Sequence, residues 1–131
     1  MPLTLQLTSE TGDILDEFLC GWVFDFILDT GDFSNTVCLR FLDPDGDTVF
    51  NRLQAPFLIK EIQDAAALVA DISVTQQHKT YLASRGISPG GPHPDDPGPS
   101  SADVRECTTA IIDLARRCER EANTYLMFVG D

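Results

Sequence analysis

Leu3, Leu5 and Leu7 alternate with Thr4 and Gln6, the period of two that a strand with one buried face requires, and the polar run from Thr8 to Asp13 ends it. The next apolar stretch carries two patterns at once. Ile14, Phe18, Trp22 and Phe26 recur every fourth residue beside Leu15, Leu19, Val23 and Ile27, while Trp22, Phe24, Phe26 and Leu28 alternate. The sustained four-residue recurrence favours a helix over 14–28, with Asp13, Asp16 and Glu17 near its positive N-terminal end, and the alternation leaves a strand open.

Val37 to Leu42 is rich in β-formers, and Asp43-Pro44-Asp45-Gly46-Asp47 supplies the fixed φ and the permissive glycine of a tight turn before Thr48-Val49-Phe50. This predicts a hairpin. Pro56 suits the first turn of a helix, and Leu58, Ile62, Ala65, Val69 and Ile72 follow at helical spacing, with Lys60 and Asp64 paired on the outer face, so a helix is expected over 56–72. It continues or restarts over 75–84. Nine of the fifteen residues over 86–100 are Gly or Pro, a composition that predicts a mobile loop. Val104, Cys107, Ile111, Leu114 and Cys118 mark a second amphipathic helix, capped at Ser100 or Ser101 and ended by Asn123, and Tyr125 to Val129 reads as a last strand. The elements assemble as one α+β domain over 1–131, a small antiparallel sheet with two amphipathic helices packed on one face.

Charge changes what such a domain can do. The net charge is -12 over 131 residues, and no Lys or Arg precedes Arg40. Ten acids stand against one base through Phe50, whereas the remaining residues hold eleven against eight, so the negative field belongs to the N-terminal half. Such a field disfavours nucleic-acid and anionic-membrane partners and suits a basic protein partner, docked through Asp13, Asp16, Glu17, Asp25, Asp29 and Asp32. An acidic solubility coat accounts for the same field. No apolar run reaches the ~20 residues of a membrane span and no basic segment follows Met1-Pro2, which predicts a cytoplasmic protein. Cys20, Cys38, Cys107 and Cys118 lack paired spacing and sit in apolar contexts, so they read as small buried hydrophobes instead of disulfides or zinc ligands.

Candidate chemistry is sparse. Asp43, Asp45 and Asp47 occupy positions one, three and five of an EF-hand, but Thr48 stands where that loop turns on glycine and Gln54 where it uses glutamate. Phe41-Leu42-Asp43-Pro44-Asp45-Gly46 is similar to the D-x-D-G-T strand end of haloacid-dehalogenase-like phosphatases until Asp47 displaces Thr48. A turn explains these residues best, with a small metal-binding hydrolase or cation-regulated module as the alternative. His78 reads as an exposed helix residue, and His93 lies in the Gly/Pro loop with Asp95 and Asp96, where nothing holds it as a base. Arg116, Arg117 and Arg120 fall in the last turns of a helix, where cations complement its dipole, and Asn51 and Gln54 fit hydrogen bonding at a helix start. No cofactor motif is present.

The blocks Cys38 to Gln54, containing FLDPDGDTVFNRLQ, and Tyr125 to Asp131, YLMFVGD, resemble recurring segments of small uncharacterised acidic bacterial proteins. Proteins of that kind are similar in size and acidity to immunity proteins of bacterial toxin systems and to gene-cassette products. The resemblance, with the charge placement, implies a non-enzymatic acidic binding module, an immunity-type inhibitor of a basic toxin. Trp22, Phe24, Phe26 and Leu28 carry apolar surface beyond what one sheet and two helices cover, so a homodimer through this segment is expected, with completion of the monomer core as the competing outcome.

Overall fold

The computed structural model describes residues 3–30, 33, 35–43, 45–70 and 99–130. Strand β1 (Thr4–Ser9) turns through Gly12 into β2 (Ile14–Leu19), and helix α1 (Gly21–Thr30) follows at once. A short 3-10 turn, Leu39–Phe41, precedes β3 (Asp47–Asn51), helix α2 (Ala55–Ala70), helix α3 (Ser101–Arg120) and β4 (Thr124–Val129). The strands form one antiparallel sheet in the order β2-β1-β4-β3, which confirms the α+β class.

The first and last strands make the centre of this sheet. Leu5 faces Phe128 and Leu7 faces Leu126, all fully buried, while Thr4, Gln6 and Thr8 pair with Val129, Met127 and Tyr125 on the opposite face. Helix α3 lies across the buried face with Val104, Cys107, Ile111, Leu114, Ala115 and Cys118 directed inward, and α2 packs on α3 through Leu58, Ile62 and Ala65. Phe128 stacks on Phe24 of α1 with ring centres 5.7 Å apart and meets Phe50 of β3 edge-on at 6.0 Å. Helix α3 begins as its sequence predicts: Ser100 Oγ accepts from the Asp103 amide, and the Asp103 carboxylate accepts from the Ser100 amide. It ends at Arg120, and Asn123, at φ 60°, reverses the chain into β4.

Two expectations are corrected. The helix expected over 14–28 is a strand and a helix divided at Gly21, whose φ of +67° lies in the left-handed region that ends a strand cheaply only for glycine. Four-residue recurrence misleads here because Ile14, Leu15 and Leu19 are exposed on an edge strand, so their spacing does not report a buried face. Phe24 and Phe26, by contrast, are consumed by the monomer core and Leu28 packs partly buried against it, so these three side chains lend little surplus apolar surface to a dimer through this segment. The Trp22 side chain lies outside the described atoms.

The hairpin expected around Asp45 is the second correction. Val37 to Leu42 forms no strand; β3 pairs with β4 instead. The cause is Glu61 on α2, whose carboxylate accepts from the amides of Val37, Cys38 and Leu39 at 2.8, 3.0 and 2.9 Å. Donors fixed on a side chain are lost to a ladder, and the chain closes into the 3-10 turn. The helix expected over 56–72 is α2, with Ile72, the stretch 75–84 and residues 86–98 of the Gly/Pro loop outside the described residues. Three helices, not two, are present among the described residues.

Glu61→Ala leaves three amides without their acceptor, and at least one of them, Leu39, belongs to a buried residue. The expected loss is about 1–3 kcal/mol in urea unfolding, with Glu61→Gln recovering part of it. An unchanged midpoint for Glu61→Ala would show that this clamp does not hold the turn.

Candidate functional site

The acids of the N-terminal half separate into two kinds once folded. Glu10, Asp13, Asp16 and Glu17 are exposed on the β1–β2 hairpin and along β2, the outer edge of the sheet. Ile14, Leu15 and Leu19 stand among them with 55%, 48% and 65% of their surface open, which makes this edge both acidic and apolar. Asp29 is exposed on α1, Asp25 is half-buried there, and Asp32 lies outside the described residues. The structure therefore brings Asp13, Asp16 and Glu17 together and sets Asp25 apart. Burial raises the Asp25 carboxyl above its ordinary range, and the neighbouring Asp29 charge adds to the rise.

The edge is braced from below. Asp16 Oδ2 meets Arg117 Nη1 of α3 at 2.9 Å, and Arg117 also reaches Glu121 at 3.6 Å. Asp16 Oδ1 accepts from the Glu17 amide at 2.8 Å. Cys20 donates its amide to the Leu3 carbonyl, so by the antiparallel alternation Phe18 and Asp16 address β1 while Leu19 and Glu17 turn their backbone groups away from the sheet. The Asp16 side chain thus occupies the amide at the middle of the open edge. Arg117 is one of the helix-end arginines the sequence singles out, and its long-range partner follows only from the strand at 14–19.

At the C-terminal end of β2 the edge runs into an open cleft of about 500 Å³, bordered by Phe18, Leu19, Cys20, Gly21 and Val23 and, from α3, by Asp103, Glu106 and Cys107. Among the described residues its charged walls are the carboxylates of Asp103 and Glu106, of which Asp103 is already engaged with Ser100. The Cys107 thiol donates to the Cys20 carbonyl at 3.8 Å. Burial drives both thiols up, Cys107 to about 12 with the Asp25 charge adding to the rise, and Cys20 further, with Cys107 beside it adding to the rise. Neutral thiols are weak nucleophiles, so Cys20 and Cys107 are not poised for attack in this cleft.

The Asp43–Asp47 segment is occupied with its own turn. Asp43 Oδ1 accepts from the Asp45 amide at 2.9 Å, the Gly46 amide reaches the Asp43 carbonyl, and the Asp43 amide meets Thr48 Oγ1 at 3.3 Å. Among the described residues, which include Asp43, Asp45 and Asp47, no three His, Cys, Asp or Glu side chains are grouped to hold a metal ion. His78, His93, Asp95 and Asp96 lie outside the described residues. Asn51 Oδ1 accepts from the amides of Leu53 and Gln54 while Gln54 Oε1 accepts from the Asn51 amide, the hydrogen bonding at a helix start that their spacing suggests. No protein-family model, curated protein or solved structure matches the chain.

All four cysteines are free and buried. Burial pushes Cys38 up to about 11, with the Glu61 charge assisting, and raises Cys118 as well. These groups stay protonated in the fold at a pH where the unfolded chain loses its thiol protons. The sign follows from that difference: stability is full below the ordinary thiol value of 9.0 and declines as pH rises toward about 11 to 12. Denaturation midpoints should therefore fall steadily above pH 9, and a disulfide reagent should label the native chain slowly and all four thiols once it is unfolded. Rapid labelling of the native chain would contradict this burial.

Proposed function

We propose that the chain is a non-enzymatic binding module that docks a basic protein on its β2 edge, as an immunity-type inhibitor of a cationic toxin would. One observation carries the reading: exposed Ile14, Leu15 and Leu19 interleave with Asp13, Asp16 and Glu17 on one edge, next to a cleft that adds Glu106. Apolar side chains supply the desolvated centre of a contact, and carboxylates around them select and steer a partner rich in Lys and Arg. Asp29 extends the same field on α1, whereas Asp25 contributes as a half-buried charge.

Binding is favoured over catalysis because the groups gathered here are acceptors and neutral thiols, with no activated nucleophile among them. No helix among the described residues is long and apolar enough to cross a membrane. Four free thiols fit the reducing cytoplasm in which an inhibitor of an intracellular toxin would work.

Asp13→Asn combined with Glu17→Gln removes exposed charge without touching the Arg117 contact of Asp16. With a basic partner captured by the wild-type chain, this pair should slow association several-fold at low salt and flatten the salt dependence, leaving dissociation nearly unchanged. An association rate indifferent to both changes and to ionic strength would overturn the reading. Leu19→Ala should act oppositely, speeding dissociation with little effect on association.

A further inference from the structure

The two edges of the sheet differ in a way that assigns one of them a second occupant. Gly130 donates its amide to the Gly46 carbonyl at 2.8 Å, so along the antiparallel ladder Thr48 and Phe50 address β4 while Asp47, Val49 and Asn51 turn their backbone groups outward. Asn51 is already satisfied, since its amide meets Gln54 Oε1 and its carbonyl meets the Gln54 amide. Asp47 and Val49 have no backbone hydrogen-bond partner on that side among the described residues. Val49 also has 55% of its surface exposed, with exposed Phe41, Leu53 and Phe57 near β3 in the chain or through the Thr48 hydroxyl, which donates to the Phe41 carbonyl.

We infer that β3 is the contact of a homodimer, pairing antiparallel with β3 of a second copy about a two-fold axis at Thr48. In that register Asp47 of one copy lies opposite Val49 of the other, and the amides and carbonyls left open by the monomer close on one another as two reciprocal pairs. Antiparallel pairing also lays the turn that carries Asp43 and Asp45 alongside Asn51 and Arg52 of the second copy, twice, so opposite charges meet at both ends of the strand. The Arg52 approach to Asp43 and Asp45, made twice, offsets part of the carboxylate charge that Asp43, Asp45 and Asp47 bring, and the two open backbone pairs are themselves self-complementary, which selects a second copy as the occupant. Edge β2 fails the same test: a two-fold pairing centred on Glu17 would set the two Glu17 carboxylates against each other, its central amide is already taken by Asp16, and a register shift between Leu7 and Thr8 interrupts its pairing with β1. The inference is independent of the docking reading for β2, and the dimer would carry that acidic edge at each end of a continuous sheet.

Sedimentation of the full chain from low to high micromolar concentration, with amide hydrogen exchange followed over the same range, tests this. The wild type should approach twice its monomer mass, and the Asp47 and Val49 amides should gain at least tenfold protection with concentration while the Glu17 amide gains none. Val49→Pro removes only a donor that the monomer leaves unused, and Val49→Lys places a charge at the contact; each should remain monomeric with an unchanged circular-dichroism spectrum. Monomer mass at every concentration overturns the inference. So does a wild-type dimer whose Asp47 and Val49 amides stay unprotected, a result readable even if both variants fail to fold.

Discussion

The pairing of β1 with β4 is the constraint on which the remaining structure depends. It joins residues 4–9 to residues 124–129, and its register puts Leu5 against Phe128 and Leu7 against Leu126 on the face that α3 covers. A slip of one residue would turn Thr4, Gln6 and Thr8 inward and carry the leucines to solvent, so hydrophobic patterning fixes the register strongly. Phe128 lies at the middle of this arrangement, stacked on α1 and edge-on to β3, and thereby couples the flanking elements to the central pair. Because the pairing is between distant parts of the chain, the loop-closure entropy is lost before most of the core can form.

Elements with a matching local signal and tertiary role were legible in the sequence. The alternation of Leu3, Leu5 and Leu7, the stripe from Val104 to Cys118 and the Ser100 cap each describe a surface that the fold buries or a donor that it satisfies. Residues 14–28 were not, because β2 is an edge strand whose apolar side chains remain exposed, and their spacing joined by accident to that of α1 across Gly21. Residues 37–42 have strand propensity, but a carboxylate 22 to 24 positions later takes their amides, and no local pattern announces a partner that distant. For the candidate site, Asp13, Asp16 and Glu17 could be chosen from charge alone; their apolar neighbours and the cleft with Glu106 became visible only when β2 was placed at the edge.

An open sheet edge is an aggregation hazard, and the two edges of this sheet meet it by different means. On β2 the acids, the register shift and the Asp16 bond to the Glu17 amide oppose continuation by another strand, while leaving side chains available for a contact that does not depend on a ladder. On β3 the strand is short and Asn51 turns its backbone groups back onto Gln54, so among the described residues the groups of Asp47 and Val49 are the ones left open. Leu19 and Val49 are comparably exposed, but the atoms around them favour different partners: carboxylates and a cleft at one edge, unpaired backbone groups at the other. Electrostatics reinforces this separation. A net charge of -12 keeps copies of the chain apart at long range, so any self-contact must gain its energy from close-range pairing, whereas a cationic partner is drawn to the β2 edge before it touches.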